Sequence, residues 1–306
     1  MENDFRHLTA DIACAALRAA GLLCRPEDVG LESRDDRWAV LLPDERIAWF
    51  PASEPAAERL AVERRVLRLL AERCSFRAPR LLLVSDRGFD VRQMVPGRCD
   101  PSELFRRCQA DAALAQRIGR SIGAILAEQH TRIEFSDVSS WLPRQVAWPE
   151  TGTWIRVRLP GVVDDRDLVR TIGHVIERYE AAVVDADDHV LLHGDVGLHN
   201  LALDPDTDAV NGIFDYDSAA WADRHHDLRN LLFDIGRDDM LEAALAIYEP
   251  AVGRRIDRRR ILLYNAACAI SYLAFRAGIP PDRVWCGRTL ADDLRWVRAT
   301  LSRLAQ

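Results

Sequence analysis

The sequence predicts an α+β, bilobal protein: a small N-terminal lobe with a β-sheet and one main helix, and a larger, mostly helical C-terminal lobe with an embedded β-hairpin. Three observations predict this class. Strand-like patterns are concentrated in about the first hundred residues, helical periodicity dominates the remainder, and one hairpin pattern interrupts the helical part at 191–217. We expect the lobes to span residues 1–96 and 97–306, with a hinge at 93–99.

In the N-terminal lobe, helical and strand-like patterns alternate. A 3.6-residue apolar period predicts helices over 8–23, where Gly21 supplies a stop, and over 56–74. Pairs of short strand-like runs predict two hairpins: Trp38–Leu42 with Arg46–Phe50, and Leu81–Val84 with Phe89–Met94. Pro96 and Gly97 break the pattern directly afterwards, which places the end of the lobe there.

In the C-terminal lobe, apolar faces with helical spacing predict most of the structure. The predicted helices are Ser102–Cys108, Asp111–Thr131, Asp165–Val184, Asp238–Tyr248, Arg258–Ala277 and Leu290–Leu304. Two strand-like runs, Asn200–Leu203 and Val210–Asp215, flank the polar turn Asp204–Asp208 and predict the embedded hairpin. The polar residues on and beside this hairpin are the ones that carry chemical information.

The composition excludes several classes of protein. The net charge is −7, whereas nucleic-acid-binding proteins usually carry a basic surface. The seven cysteines are scattered, odd in number and form no C-x-x-C pair, so we expect neither disulfides nor a zinc site. The N-terminus shows no signal-peptide pattern, and no apolar run approaches the roughly 18 residues of a membrane span. We expect a cytoplasmic monomer or weak dimer that binds neither nucleic acid nor membrane.

A polar constellation lies on the predicted hairpin and in the loop before it. His193-Gly194-Asp195 is followed by Asn200, and Asp215 ends the second strand. Phosphoryl transfer needs an acceptor for the hydroxyl proton, oxygen ligands for Mg²⁺, and a frame that aligns both with the γ-phosphate. An Asp, an Asn five positions later and an Asp on the next hairpin strand form the kinase pattern. It predicts Asp195 as general base, and Asn200 and Asp215 as magnesium ligands.

These segments resemble the aminoglycoside phosphotransferases and their choline-kinase-like relatives. His193–Asn200 is similar to the H-G-D-x-x-x-x-N signature of that family, and Ile213–Ala220 is similar to the I-I-D-F-G-D-A-A segment of the 2″-phosphotransferases. Shorter matches in the same order extend the resemblance over roughly residues 25–240: Ile47–Phe50, Ala61–Glu63, Gln93–Gly97, Leu126–His130, Asp223 and Asp227.

The resemblance implies a protein-kinase-like fold and a nucleotide site. ATP or GTP is expected at the hinge, where Gln93 and Val95 fall, and a small-molecule acceptor is expected against the helical lobe. Glu63 and Trp49 are also assigned to the nucleotide site, because they occupy the positions of the helix glutamate and the third-strand lysine of the family.

Two departures from the family pattern bear on activity. The chain contains no lysine, since all 41 Lys and Arg residues are arginine, and the lysine position is Trp49. A lost charge-assisted contact to phosphate costs about 1.5–3 kcal/mol. Arg34, Arg37 and Arg46 of the first hairpin are candidates to replace it. The glycine-rich loop is also missing, because Gly30–Arg34 contains one glycine.

Other polar residues near the constellation receive supporting roles. His193 and Asp227 are predicted to orient the loop, and Asp217 and Asp223 are possible acceptor-binding residues. The ten acids between 204 and 239 predict either solvated turns and helix ends, the favoured alternative, or an acidic wall for a polycationic acceptor. The adjacent pair at 225–226 is not predicted to bind zinc, since neighbouring histidines rarely present both rings to one ion.

The sequence therefore predicts a small-molecule kinase that transfers the γ-phosphoryl group of a nucleoside triphosphate to a hydroxyl, with Asp195 as base. Aminoglycosides, macrolides, other hydroxylated antibiotics and small metabolites are all open as acceptors. The alternative, suggested by Trp49, is a nucleotide-binding pseudokinase with little or no transfer. A protein acceptor is disfavoured, because the short segment from Asp217 to Asp227 leaves little room for a peptide-docking loop.

Overall fold

The chain divides into two units in the computed structural model, which describes residues 5–34 and 36–305. Unit 1 contains the described residues up to Asp100 together with His199–Ala219, and unit 2 contains Pro101–Leu198 and the described residues from Ala220 onward. The first break, at Asp100, lies close to the predicted hinge. The segment that contains the predicted hairpin groups with unit 1, although the prediction placed it in the helical lobe.

Unit 1 is built on a five-stranded antiparallel sheet with the strand order β1-β2-β3-β5-β4. Its elements are α1 (Ala10–Ala19), β1 (Gly30–Arg34), β2 (Arg37–Leu42), β3 (Arg46–Pro51), α2 (Glu54–Arg73), β4 (Arg80–Val84), β5 (Asp90–Gln93), β7 (Leu201–Leu203) and β8 (Val210–Ile213). The last two form a separate two-stranded sheet. Both helices begin at capping side chains: Thr9 accepts the N–H of Ile12, and Ser53 accepts that of Ala56.

Local sequence explains the β2–β3 hairpin at the centre of this sheet. Asp44 and Glu45 both have positive φ, 62° and 54°, which is the backbone of a tight turn that matches the twist of the flanking strands. Phe50 of β3 stacks on Phe89 with ring centroids 4.6 Å apart, and Phe5 meets Phe50 edge-on at 4.9 Å. These rings form the core between the sheet and α1.

The β7–β8 hairpin is joined to the rest of unit 1 by backbone hydrogen bonds. The N–H of Ile213 donates to the carbonyl of Arg77 at 3.1 Å, and Arg98 and Leu203 exchange two bonds of 2.7 and 2.9 Å. Gly212 is required at this junction, because a Cβ atom there would lie 2.2 Å from the Arg77 carbonyl oxygen. The hairpin is therefore fixed within unit 1 at close range.

Unit 2 is mostly helical and also contains one short two-stranded sheet, β6 with β9. Its elements are α3 (Pro101–Ala110), α4 (Ala112–Arg132), α5 (Phe135–Val138), α6 (Gly152–Arg158), α7 (Arg166–Glu180), β6 (His189–Leu192), β9 (Ala220–Asp223), α8 (His225–Ile235), α9 (Asp238–Val252), α10 (Arg258–Phe275) and α11 (Leu290–Ala305). The main core surrounds α10, which packs on α6, α7, α8 and α11.

Helix α10 is more apolar than the sequence analysis allowed. With its short extension it runs Arg258–Gly278, and an 18-residue stretch within it has a mean hydropathy of 1.3, enough in length and composition to cross a membrane. The statement that no apolar run approaches that length was therefore wrong. In the structure 72% of this stretch is buried inside the chain, as in the central helix of a folded core.

The structure differs from the predicted elements in several places. The first helix is shorter than 8–23, since it covers Ala10–Ala19, and Gly30–Arg34 forms an edge strand where the sequence analysis saw only an incomplete glycine-rich loop. The β6–β9 pair and helix α8 were not predicted. Four-residue apolar runs are too short to show a period, and α8 buries charged residues that resemble a polar loop in sequence.

Candidate active site

In unit 1, the β7–β8 hairpin brings Asn200 and Asp215 to one end. Leu201 pairs with Ile213, so the residue before β7 and the residues after β8 emerge together. The Phe214 N–H donates to the Asn200 carbonyl at 3.0 Å, which places Asp215 one residue from that bond. The Asn200 side chain is 2% exposed, whereas that of Asp215 is 36% exposed. This is the local arrangement that a shared ion site requires.

Asp215 has a left-handed backbone conformation, with φ of 70°. A residue with a Cβ atom adopts this region rarely, and the strain of order 1–3 kcal/mol persists where the surroundings impose it. The residue therefore occupies a constrained position two residues after the end of β8, and strained residues are common at functional sites.

Arg37 of β2 contacts three acids of unit 1. Its Nη2 lies 2.9 Å from Asp215 Oδ1 and 3.0 Å from Asp217 Oδ2, and its Nη1 lies 3.4 Å from Glu63 Oε2. The guanidinium carbon lies 4.3 Å from the centre of the Trp49 ring, in a cation–π contact. Of the three candidate arginines, Arg37 is thus the one placed at the predicted site.

Glu63 of α2 is held by a buried ionic network. Arg92 of β5 donates two hydrogen bonds of 2.6 and 2.9 Å to Glu63, and the same guanidinium donates to Asp90 at 2.7 Å. Asp90 also accepts from Arg64 at 2.6 Å. Burial tends to raise the pKa of Glu63, but the charges of Arg92 and Arg37 and the Arg92 hydrogen bonds outweigh it and hold that pKa below its usual range. Glu63 is therefore ionised at neutral pH.

Asp217 has the opposite electrostatic balance. Burial and the negative charge of Asp215 raise the pKa of Asp217 to about 6, although Arg37 acts against them. Two carboxylates two residues apart, bridged by one arginine, form a site with a surplus of negative charge. Such a site favours a further cation. Asp217 lies within unit 1, and its predicted contact with the acceptor stays a prediction.

The residues predicted at the hinge are structurally engaged within unit 1. The Gln93 side chain donates to the carbonyls of Asp44 and Glu45 at 3.0 and 3.1 Å, so it fastens β5 to the β2–β3 turn. Val95 is 7% exposed. Any contact of Gln93 with a nucleotide would fall to its backbone, and the nucleotide assignment of both residues stays a prediction.

In unit 2, the loop after β6 carries Asp195. The buried ring of His193 accepts the Asp195 N–H through Nδ1 at 3.2 Å, and the Gly197 N–H donates to the Asp195 carbonyl at 2.8 Å. At the far end of the loop the Leu198 N–H donates to Asp234 at 2.8 Å. The backbone around Asp195 is thus held at several points, while its side chain is partly exposed.

Asp227 of α8 binds the backbone of the same loop. Its carboxylate accepts the N–H groups of His193 and Gly194 at 2.9 and 2.8 Å, and it lies 3.1 Å from His130 Nε2. His130 Nδ1 in turn lies 2.7 Å from the Tyr248 hydroxyl. Burial would raise the pKa of Asp227, but the contact with His130 lowers it overall. This is the geometry that the predicted orienting roles of His193 and Asp227 require.

Asp223 is placed less favourably for its predicted role. It is 3% exposed, Tyr264 donates to it at 2.6 Å, and His225 Nδ1 lies 2.5 Å from it. Together with Asp188, Asp223 and His225 have the spacing of a metal cluster, but Arg224, Arg254 and Arg260 already neutralise the carboxylates there. The surroundings of Asp223 indicate a structural role, and binding of the acceptor by this residue stays a prediction.

The structure brings Asn200 and Asp215 together and places Asp195 in the other unit, five positions earlier in the chain. A meeting of all three therefore stays a prediction. Arg92 as the partner of Glu63, and Asp90 as the second partner of Arg92, were not predicted from the sequence. Their signal was weak but present, since charged residues at alternate positions of a short strand share one face of the sheet.

An oxygen-binding cation fits the unit 1 pair. Mg²⁺ prefers a few carboxylate or amide oxygens and keeps the remainder of its coordination for water and phosphate. Asp215 supplies a partly exposed carboxylate and Asn200 an amide oxygen at the same hairpin end. Asp217 adds a second carboxylate next to Asp215. The donor set suits magnesium better than zinc, which selects histidine and cysteine.

Comparison with known proteins defines the class of the fold. A GDP complex of a mutant aminoglycoside 2′-phosphotransferase-IIIa superposes with a TM-score of 0.70 at 16% identity and covers 97% of this chain and 96% of that chain. The streptomycin–ATP complex of APH(2″)-IIa gives 0.64 at 16%, with 97% of each chain covered. The apoenzyme of a macrolide 2′-phosphotransferase from Brachybacterium faecium gives 0.63 at 18%, with 95% and 98% covered. The predicted α+β, bilobal, protein-kinase-like fold is confirmed.

The chain belongs to the phosphotransferase enzyme family, which it matches over residues 28–263. The resemblance drawn from the sequence is thereby confirmed, and the protein is an enzyme of the kinase type that acts on hydroxyl groups. No curated protein matches the sequence.

Proposed function

We propose that the protein transfers the γ-phosphoryl group of ATP or GTP to a hydroxyl of a small molecule, with Asp195 as the general base. The observation that carries the proposal is the β7–β8 hairpin, which places Asn200 beside the strained Asp215 at one end. Family membership and the ordered Asp195, Asn200 and Asp215 sequence support the same reaction.

Asp195 would accept the proton of the acceptor hydroxyl as that oxygen bonds to the γ-phosphorus. The bond from this phosphorus to the β–γ bridging oxygen breaks, and the nucleoside diphosphate leaves. His193 and Asp227 support this step by fixing the backbone at Asp195 and at the two residues before it, since a general base acts only when its carboxylate is aimed at the proton.

Asn200 and Asp215 would hold Mg²⁺ with the nucleotide. When bound, magnesium neutralises the charge that develops on the phosphate oxygens. The nucleotides in the related structures are GDP in one case and ATP in another, so both donors are included in the proposal. The side chains of Glu63 and Arg92 give the sheet of unit 1 a fixed ionic framework on which these ligands depend.

The acceptor is proposed to be a hydroxylated antibiotic or metabolite. Related structures bear the names of aminoglycoside and macrolide phosphotransferases. The acids between 204 and 239 give limited support for an acidic wall, since many of them already bind backbone N–H groups or arginines of the chain. Asp204 caps the hairpin turn, Asp227 binds loop amides and Asp239 pairs with Arg237. A polycation is therefore only one member of the acceptor class.

The decisive experiment incubates the purified chain with Mg·ATP or Mg·GTP and a panel of aminoglycosides, macrolides and hydroxylated metabolites. Gain of one phosphoryl group by an acceptor, read by mass spectrometry, is the expected result. Asp195→Asn should lower turnover by about 10²- to 10⁴-fold, because it removes the general base. Nucleotide affinity should stay unchanged in that variant. Turnover equal to that of the parent would refute the assignment of Asp195.

Trp49 is the observation that favours the second candidate, a nucleotide-binding pseudokinase. This candidate predicts nucleotide binding without a phosphorylated product from any acceptor in the panel. Arg37 weakens its basis, since a cation is present beside Glu63 and Asp215 even though the lysine is not. One phosphorylated acceptor would exclude it.

A further inference from the structure

The cationic side chain that a kinase site needs for the nucleotide phosphates is missing from its usual strand in this chain. A kinase site needs a fixed cation that pairs with the helix glutamate and reaches the phosphates beside the metal-binding aspartate. The sequence contains no lysine, and the third-strand position holds Trp49. A neutral indole cannot neutralise phosphate. The charge must therefore come from another strand or be absent.

The register of the sheet explains how β2 reaches this place. Arg37 pairs with Pro51 and Ala39 pairs with Trp49, so Arg37 and Trp49 are diagonal neighbours on adjacent strands. Diagonal pairs lie about 7–8 Å apart at the backbone, within reach of long and aromatic side chains. The Arg37 side chain spans this separation, and its guanidinium carbon lies 4.3 Å from the centre of the Trp49 ring. Trp49 thus supports the cation that it cannot itself provide.

The contacts of Arg37 are those expected of the missing lysine. One side of the guanidinium, Nη1, lies 3.4 Å from Glu63 Oε2, and the other, Nη2, lies 2.9 Å from Asp215 Oδ1. Glu63 is fixed from behind by Arg92, so the Nη1 contact has a rigid partner. Nη2 bridges Asp215 and Asp217 and points toward the predicted ion site. The side chain is 11% exposed and so is mostly ordered by these neighbours.

We infer that Arg37 is the residue that binds the nucleotide phosphates, from β2 instead of β3, with Trp49 as its platform. Arginine suits the task, because its planar fork is always charged and binds phosphate oxygens in pairs. Phosphate oxygens would take the Nη2 donors that face Asp215 and Asp217, while the Glu63 contact holds the side chain in place. This inference rests on the proposed function and adds a specific binding residue to it.

The test compares triphosphate and nucleoside binding in matched variants. Binding of Mg·ATP, Mg·GTP, adenosine and guanosine is measured by calorimetry for the parent and for Arg37→Ala. We expect Arg37→Ala to weaken the triphosphate by about 10- to 100-fold and to leave the nucleoside unchanged. In the Arg37→Ala background, Trp49→Lys returns the cation to β3 and should restore at least about a tenfold gain in affinity.

Two arginines of the same hairpins that do not contact Glu63 or Asp215 in the contacts described above serve as controls, one exposed and one partly buried. Arg34 pairs with Glu32 and its side chain is 62% exposed, and Arg46 binds the β2–β3 turn. Arg34→Ala and Arg46→Ala should bind triphosphate like the parent. If Arg37→Ala does not fold, Arg37→Met and Arg37→Lys provide the comparison, and only Arg37→Lys should retain most of the triphosphate affinity.

The outcomes separate this inference from the proposed function. Parent protein that binds and transfers phosphate while Arg37→Ala does so equally well would overturn the inference alone. Equal losses for triphosphate and nucleoside would also overturn it, because they indicate a purely structural role. A parent that binds neither nucleotide would overturn the proposed function and this inference together.

Discussion

At the scale of single residues, the site in unit 1 depends on how charges are shared among buried partners. Glu63 meets two arginines, Arg92 from β5 and Arg37 from β2, and each arginine meets a further acid. These five ions in contact stabilise one another as a set, since the buried members would each be costly to bury alone. The left-handed backbone of Asp215 adds local strain that this set has to balance.

Substitution of Arg92 should show how much this set of ions contributes to the free energy of unfolding. Arg92→Met leaves Glu63 and Asp90, at 1% and 0% exposure, with fewer partners, and we expect a loss of about 3–5 kcal/mol in unfolding free energy. Arg34→Ala is the matched control, because its exposed pair with Glu32 contributes about 1 kcal/mol or less. Urea denaturation followed by circular dichroism measures both. Similar losses in the two variants would show that the network does not stabilise the fold.

At the scale of elements, close packing of α4 on α9 positions the support of the loop that carries Asp195. Gly119 and Gly123 are one helical turn apart on α4, and a Cβ atom at either would lie 2.3 Å from a carbonyl oxygen of α9. His130 in the last turn of α4 meets Tyr248 of α9 and Asp227 of α8. The distance between α4 and α9 therefore sets the position of His130, and through Asp227 that of the loop carrying Asp195.

Gly123→Ala should disturb this packing. The new methyl group would overlap the Ala244 carbonyl, and we expect a loss of about 1–3 kcal/mol in unfolding free energy together with slower phosphoryl transfer. Gly173→Ala on α7 is the opposite control. A Cβ atom there meets nothing within 4 Å, so this change should stabilise its helix by up to about 1 kcal/mol. Melting temperatures that move in the same direction in both variants would contradict the packing argument.

How much of the molecule the sequence predicts depends on whether the residues concerned lie in one element or in several. The order of Asp195, Asn200 and Asp215 was visible because one loop and one hairpin carry it. The partnership of Glu63 with Arg92 was not, since 29 positions separate them and the pairing depends on how α2 packs against the sheet. Helix α8 was missed because its buried charges, Asp227 among them, resemble a solvated loop until their partners are known.

At the scale of the whole molecule, the stability of the chain is linked to pH through buried histidines of unit 2. The pKa of His226 is lowered to about 3, first by burial and then by the positive charge of Arg229. Its Nδ1 has no hydrogen-bond partner among the residues that the structure describes, and its ring packs on Tyr264 at 4.4 Å between centroids. The ionisable groups around it are Tyr179, Asp223, His225, Asp227, Arg229 and Tyr264. Burial also lowers the pKa of His130, although Asp227 opposes the change.

The His226 ring should therefore cost stability on mild acidification, whereas Asp217, with its pKa raised to about 6, binds a proton in the folded state first and offsets part of that loss. A histidine with a folded pKa near 3 and an unfolded pKa near 6.5 takes up a proton only on unfolding across that window, so the unfolded state gains as the pH falls. Between pH 7.5 and pH 5 the His226 contribution amounts to about 2 kcal/mol of lost unfolding free energy. Carboxylates such as Asp227, with lowered pKa values, add their losses mainly below pH 4.

His226→Phe should remove about 2 kcal/mol of the stability lost between pH 7.5 and pH 5, leaving the opposing contributions of His130 and Asp217. The exposed His174, at 70% exposure, supplies the control, and His174→Gln should leave the difference unchanged. Urea unfolding at the two pH values measures all three proteins, and an equal pH dependence in the parent and His226→Phe would show that this ring is not buried in its neutral form.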